Sequence, residues 1–429
     1  MLNGTNHIMK MKYNIAIIGL GYVGLPLALQ FSKKYNVIGL DIDSTRVDQL
    51  NNFNDKTNEV EKKNLKKSLN KNLKFTSNYE LIRNCNIYIV TVPTPVNKSK
   101  RPDLSNLFSA SVSIGKILKK NDIVIYESTV YPGCTEEDCV PILEMNSKLI
   151  YNKDFFCGYS PERINPGDKK NTIDKIVKVT SGSSKYSANL VDKLYKSVIS
   201  AGTHKAKSIK VAEASKAIEN AQRDLNISFV NELSIIFDKM EIDTSEVLDA
   251  ASTKWNFLNF RPGLVGGHCI SVDPYYLTYK AKKIGYSPDV ILSGRTVNEN
   301  MAQFVTDKLV RGMKKRGLEI DKSNILILGI TYKENCPDTR NTKIPEVYNN
   351  LKKLGANVNI FDPCADFLKV KSEYEIDLIN GFAKYDGIIL AVSHNYFKGL
   401  NYDKLKKNSN SFILDIKSFL NKKVVDARL

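Results

Sequence analysis

The first apolar run, Tyr13 to Ile18, stops at Gly19-Leu20-Gly21-Tyr22-Val23-Gly24 and resumes at helical spacing from Leu25 to Phe31. Val37-Ile38-Gly39-Leu40 is a second short run and ends in Asp41. This alternation predicts strand, turn, helix and strand, with an acid at the last strand's end. Cys85 to Thr91 and Asp122 to Tyr126 read as further buried strands, leading into Val92-Pro93-Thr94-Pro95 and Glu127-Ser128-Thr129. Phe155 to Gly167 contains Pro and Gly and predicts an ordered loop. Ile209 to Met240 has neither and keeps apolar residues at helical spacing, which predicts one long helix or two in line. An aromatic loop, Trp255 to Pro262, runs into Gly266-Gly267-His268-Cys269-Ile270, and Pro274 to Arg311 returns to amphipathic helix. A second α/β unit starts at Asn324 to Leu328 and Gly329. It continues through the polar loop Lys333 to Lys343, a helix, Val358 to Asp362, and strands at Gly387 to Val392 and Phe412 to Ile416.

The second unit echoes the first without its full glycine motif. The fold class is therefore α/β: two Rossmann-like parallel-sheet domains joined by a long central helix. The expected domains are 1–204 (NAD-binding), 205–311 (helical and dimerising, with the Cys269 loop) and 312–429 (nucleotide-binding). Gly19, Gly21, Tyr22, Val23 and Gly24 form a turn that admits a pyrophosphate to the helix N-terminus. Asp41 falls near the spacing of the acid that bonds a ribose hydroxyl pair and repels a 2′-phosphate, so NAD is expected over NADP. Arg46 lies along the adenosine side or is a surface arginine. Thr94 and Thr129 follow strand C-termini, where ligands sit in an open parallel sheet; they touch the nicotinamide half or cap turns. Glu162 and Arg163 are a solvated pair or, in so apolar a loop, include a partly buried carboxyl with a raised pKa.

Composition narrows the classes. The 429 residues allow two or three domains. No apolar run approaches the ~20 residues of a membrane span, and Met1 to Lys10 lacks a signal-peptide core, so a cytoplasmic location with a short disordered lead-in is expected. Seven scattered cysteines without a CxxC pair fit a reducing compartment, with Cys134, Cys139 and Cys157 as packing residues. Four distant histidines argue against a His-based metal site. The net charge of +17 reflects solvated Lys/Asn-rich faces such as Lys62 to Lys74, or an attraction for anionic ligands. No zinc-finger or RNP-type pattern is present, and nucleic acid is not an expected partner.

The candidate chemistry centres on Cys269, between a glycine pair and Asp273. A thiolate there can attack an aldehyde to give a thiohemiacetal, a second hydride transfer to NAD then gives a thioester, and water can hydrolyse it. Lys216 and Asn220, four apart on one helix face, suit an oxyanion. Glu162 is a candidate base for hydrolysis and Asp273 a candidate for positioning water. The alternative is an inert thiol in a two-electron dehydrogenase, or, in another class, a basic NAD-binding module without turnover. Asn259 and Arg261, in the aromatic loop, suit a base and a sugar or belong to a hydrophobic lid. Lys333, Asp338 and Arg340 sit where a diphosphate can lie. The long helix is expected to pack on a copy of itself in a homodimer.

These stretches resemble the UDP-glucose/GDP-mannose dehydrogenase family over nearly the whole chain. The similarity lies in Gly19 to Gly24, Val92 to Pro95, Glu127 to Val130, Ser160 to Arg163, Lys216 with Asn220, Gly266 to Asp273 and Lys333 to Arg340. It implies an NAD domain, a dimerising helix and a UDP domain, with Cys269 as nucleophile and Lys216, Asn220, Asp273 and Glu162 beside it; Thr129 joins that catalytic group. It also implies that Asp41, Arg46, Thr94, Thr129 and Arg340 contact NAD, and that Arg163, Arg223, Gly266 and Lys333 contact the UDP-sugar. Members acting on UDP-glucose usually carry Lys where Val272 stands, and Lys343 replaces a frequent Pro. Both departures resemble the UDP-N-acetylhexosamine branch of capsule, O-antigen and Vi-type polysaccharide synthesis. UDP-N-acetylglucosamine is the expected substrate, followed by the galacto epimer, then the manno epimer and UDP-glucose.

Overall fold

The computed structural model describes residues 13–97, 99–164, 171–267 and 270–429. The lead-in before Tyr13, the end of the loop at Asn165 to Gly167, and His268 with Cys269 lie outside them. Two compact units emerge: residues 1–218 with 275–283, and residues 219–274 with 284–429.

The first unit is built on eight strands: β1 (Asn14–Ile18), β2 (Asn36–Leu40), β3 (Leu73–Thr76), β4 (Ile87–Val90), β5 (Ile123–Tyr126), β6 (Phe156–Tyr159), β7 (Lys178–Gly182) and β8 (Thr203–Lys205). Their order is β3-β2-β1-β4-β5-β6-β7-β8, parallel except where β7 runs against β6. The order reverses between β1 and β4, the place where open α/β sheets receive ligands. Ile15, Ile17, Ile87, Ile89, Ile123 and Ile125 face one buried cluster with Leu25, Leu29 and Phe31 of the helix Gly24–Ser32. That continuous burial explains why these strands read as unbroken apolar runs.

Two readings change here. Residues 156–159, expected in a loop, form β6, because the Phe-Cys-Gly-Tyr run is short and buried between β5 and β7. Gly158 fits there because a Cβ would stand 2.9 Å from Ser181 O. The expected helix from Pro274 to Arg311 is two helices, Asp273–Lys283 and Asp289–Lys315, parted at Gly285 (φ +83°) and Pro288.

The second unit carries β9 (Asn324–Leu328), β10 (Asn357–Phe361), β11 (Gly387–Leu390), β12 (Phe412–Asp415) and β13 (Ala427–Arg428), all parallel in the order β10-β9-β11-β12-β13. Its first turn repeats the first unit's. Gly329 (φ +100°) donates its N–H to Phe361 O at 2.8 Å, as Gly19 does to Leu40 O at 2.8 Å. Asp362 Oδ2 accepts from Ile330 N at 2.7 Å, as Asp41 Oδ2 accepts from Leu20 N at 2.8 Å. Asp362 is also bonded to His394 Nε2 at 3.1 Å, and Cys364 Sγ lies 3.5 Å from His394 Nδ1. Metal-type donors therefore do meet in this unit, but Asp362 Oδ1 takes the N–H groups of Cys364 and Ala365, and His394 Nδ1 that of Asn335.

The central helix is single, Ile209–Lys239, 31 residues and about 46 Å long at 1.5 Å per residue. In the second unit, the helix Asp289–Lys315 packs on it. Gly294 makes room for Leu225, Asn298 bonds Asn231 at 2.8 Å, and Arg295 pairs with buried Asp224 at 2.7 Å. The Lys-rich helix Lys62–Leu69 buries only Leu65, so its lysines are solvated. No helix among the described residues is long and apolar enough to cross a membrane.

Candidate active site

In the first unit, β1 delivers the chain to Gly19, whose φ of +93° lies in the region that favours glycine. A Cβ on Gly24 would stand 1.8 Å from Gly19 O and 2.4 Å from Thr91 Oγ1, so the helix enters hard against the turn. A Cβ on Gly21 would meet nothing within 4 Å, which leaves that face of the turn open. The helix has no acid in its first turn, so its positive end stands uncompensated beside that opening. Asp41 is fixed at the end of β2 by the N–H groups of Leu20 at 2.8 Å and Asp43 at 3.0 Å. An open glycine turn, a helix N-terminus and a fixed carboxylate fit a dinucleotide. Tyr22 and Val23 complete the turn.

Arg46 is not a loose surface arginine. Its Nε donates to Leu20 O at 3.0 Å and its Nη2 to Asp55 Oδ1 at 2.8 Å. Burial alone would raise the Asp55 pKa; hydrogen bonds from Thr57, Arg46 and the Val60 N–H bring it below the usual value. Arg46 thus braces the turn next to Asp41. The two candidate threonines are joined: Thr94 Oγ1 donates to Thr129 O at 2.8 Å, and Tyr276 OH donates to Thr94 O at 2.7 Å. The Thr94 hydroxyl therefore ties the ends of β4 and β5 together.

Glu162 is buried and does not form a solvated pair with Arg163. Its Oε1 accepts the Ile164 N–H, and its Oε2 lies 3.4 Å from Lys178 Nζ. Lys178 also meets Glu127 at 2.5 Å, and Tyr195 OH donates to the other Glu127 oxygen. Burial raises the Glu127 pKa against the pull of Lys178, while the two carboxylates lift Lys178 against its own burial. Arg163 Nη1 donates to Val177 O at 3.0 Å. Lys216, also in this unit, is buried.

In the second unit, Asn220 Nδ2 donates to Asp273 Oδ2 at 2.5 Å. The glycine pair before Cys269 makes room for protein. A Cβ on Gly266 would stand 2.9 Å from Asn341 O, and one on Gly267 (φ +84°) 2.8 Å from the Tyr332 ring. Gly267 N donates to Arg340 O at 3.1 Å, and Asn341 Nδ2 donates to Gly267 O at 3.2 Å. The segment before Cys269 is thereby clamped to the polar loop after β9. A narrow crevice borders this clamp, lined by Gly266, Tyr332, Glu334, Thr342 and Lys343. Arg340 turns its Nε and Nη2 to buried Asp338, whose carboxyl, despite burial, is held low by that arginine. Lys343 pairs with Glu299 and Glu346, each at 2.7 Å. Arg261 is held by Asp249 and by Ser245 O. Arg223 and Asn259 are exposed, and Lys333 is half-buried.

Lys178 and Tyr276 escaped the sequence reading. A signal for Lys178 was present: Ile176-Val177-Lys178-Val179 puts a cation inside an apolar run, and a buried cation requires a partner.

Three stretches match successive domains of one family. Residues 13–199 match the UDP-glucose/GDP-mannose dehydrogenase family NAD binding domain, 210–300 its central domain, and 326–422 its UDP binding domain. The chain is 54% identical over 419 residues to a UDP-N-acetyl-D-glucosamine 6-dehydrogenase of Pseudomonas aeruginosa, covering 97% of this chain and 99% of the relative. It is 52% identical over 422 residues to a Salmonella typhi protein of the same name, with 97% and 99% covered. Among solved structures it is similar to a UDP-D-ManNAc dehydrogenase from Pyrococcus horikoshii, with a TM-score of 0.85, 27% identity, and 97% and 98% of the two chains covered.

Proposed function

The chain belongs to the UDP-glucose/GDP-mannose dehydrogenase family, and from that premise we propose that it oxidises C6 of UDP-N-acetylglucosamine to the uronic acid by a four-electron route through Cys269. It is an NAD-dependent UDP-sugar dehydrogenase. The overall balance is one primary alcohol, one water and two NAD⁺ giving one carboxylate, two NADH and three protons. NAD, bound at the Gly19 to Gly24 turn, supplies the hydride acceptor for both oxidations.

The chain's own residues divide the remaining work. The Cys269 sulfur adds to the C6 aldehyde carbon as a thiolate, and after the second oxidation that carbon is held as a thioester. Lys216 and Asn220 stabilise the oxyanion, each such donor being worth roughly 3–4 kcal/mol. Asp273 keeps Asn220 oriented through their hydrogen bond. Glu162 takes a proton from the water that attacks the thioester, and the carbon–sulfur bond breaks to return the thiol. Thr129 belongs to the same catalytic group. Asp41 receives the adenosine ribose. Lys333, Arg163, Arg223, Asn259 and Arg261 are assigned to the nucleotide sugar, and Arg340 to NAD.

The observations that support the thiol route are the Asn220–Asp273 pair and the clamping of Gly266 and Gly267, which precede Cys269 in sequence, to the loop after β9. The N-acetylglucosamine assignment is supported by the two relatives above 50% identity. Its test is kcat/KM on UDP-N-acetylglucosamine, its galacto and manno epimers, and UDP-glucose. A clear preference for either epimer or for UDP-glucose overturns that assignment and leaves the chemistry standing.

The enzyme is also proposed to be a homodimer. Val211, Ile218, Phe229 and Ile236 are exposed on the central helix. Their spacings of 7, 11 and 7 residues put them on one face. An exposed apolar stripe of that length marks a protein contact. Sedimentation of wild type against Phe229→Glu, expected to shift dimer to monomer, tests it.

A further inference from the structure

Lys178 is a full-length cation with its side chain 3% exposed, between two carboxylates that are 0% and 11% exposed. Nothing in the chemistry above uses it. It stands at the start of β7, and its ammonium sits 2.5 Å from Glu127 Oε2 and 3.4 Å from Glu162 Oε2. Among the described residues, the groups facing this ammonium are Glu127 after β5, Glu162 after β6, and Tyr195 on the helix Lys185–Lys196. The Tyr195 ring lies 5.8 Å from Nζ. Arg163, next to Glu162, is turned to Val177 O.

A buried ammonium needs one carboxylate to neutralise it. Glu127 supplies that partner at the shorter distance, and it is itself anchored by Tyr195. The ammonium has three donors, and a second carboxylate beside it is held by the same cation. The second one is Glu162, whose other oxygen is pinned by the Ile164 N–H. With one oxygen on a backbone donor and the other facing a cation, the Glu162 side chain has a single orientation. We propose that Lys178 is a positioning residue: it fixes the direction of the Glu162 carboxylate for the water-dependent half of the reaction, with Glu127 holding Lys178 in place.

This rests on the reading of Glu162 as the base, so the experiment separates the two. The pH profile of kcat for acid formation from UDP-N-acetylglucosamine and NAD is measured for wild type, Glu162→Gln, Lys178→Met and Lys178→Arg. The double variant Lys178→Met/Glu127→Gln removes both members of the buried pair and serves where Lys178→Met alone does not fold.

Loss of a neighbouring cation makes a carboxylate harder to ionise. The acid limb of kcat is therefore expected to move up by one unit or more in Lys178→Met, or in the double variant. That is about a tenfold loss at a pH on the wild-type limb. KM for NAD and for the sugar nucleotide is expected to stay within threefold, and Lys178→Arg is expected to return the limb to within half a unit of wild type. Activity that falls equally at all pH values, or a limb that does not move, overturns the role of Lys178 while Glu162→Gln remains inactive. If Glu162→Gln hydrolyses as wild type does, the base assignment fails and this inference falls with it.

Discussion

Asn220 and Asp273, 53 positions apart, are joined by a hydrogen bond from Nδ2 to Oδ2. Asp273 is buried and heads the helix Asp273–Lys283, where a negative charge is favoured. The bond gives the Asn220 amide a fixed direction and gives the buried carboxylate a partner. Asp273→Asn keeps the shape but not the charge. It is expected to lower kcat about 100-fold, the size of a lost transition-state interaction near 3 kcal/mol, while shifting Tm by only a few degrees. A kcat within threefold of wild type removes Asp273 from the chemistry.

The glycine turn makes a contrasting pair. Gly24→Ala drives a Cβ to 1.8 Å from Gly19 O, a backbone atom that cannot step aside, so loss of folded protein is expected. Gly21→Ala meets nothing within 4 Å and is expected to fold with an unchanged Tm. Its methyl occupies the open face, so NAD binding is expected to weaken at least tenfold. NAD titration with thermal melting checks both; a Gly21→Ala protein that binds NAD normally moves the dinucleotide away from this turn.

Asp41 is the residue proposed to set the choice of cofactor. Asp41→Asn retains an acceptor for the Leu20 N–H, now 2.8 Å from Oδ2, and removes the charge. The expected outcome is a higher KM for NAD and a preference for NAD over NADP reduced at least tenfold, read from kcat/KM on the two cofactors. An unchanged ratio contradicts the ribose assignment.

Glu213 gives a pH signature of stability. It is buried on the central helix and accepts the N–H groups of Gly133 at 2.5 Å and Thr135 at 2.9 Å. Burial, only partly offset by these bonds, pushes its pKa up to about 7 from 4.5. The folded state therefore holds the proton more tightly than the unfolded chain. Its contribution is full below pH 4.5 and is lost as pH rises through 7, a change of about 3 kcal/mol. Glu213→Gln, which mimics the protonated form, is expected to gain Tm over wild type progressively from pH 5 to 8. Parallel Tm curves contradict this.

Buried parallel strands announce themselves as apolar runs, so β1, β2, β4, β5 and β9 were legible almost to the residue, as was the central helix without Gly or Pro. Strand β6 was not, because four residues containing a glycine look like a turn until two neighbours bury them. The local parts of the site were also legible: a glycine turn and its acid lie within one α/β repeat. What stayed hidden joins distant segments. The Glu127–Lys178–Glu162 cluster spans three strand ends, and the clamp on Gly266 and Gly267 comes from a loop more than sixty residues later. Side-chain pairing across such distances leaves no periodicity in the chain.

Cys269 is proposed to carry two successive oxidations. NADH formed per UDP-N-acetylglucosamine consumed, taken to completion in wild type and in Cys269→Ala, tests it most directly. A ratio near two is expected in wild type, and no acid product in the variant. A ratio near one, with Cys269→Ala still active, would contradict it and leave a two-electron dehydrogenase.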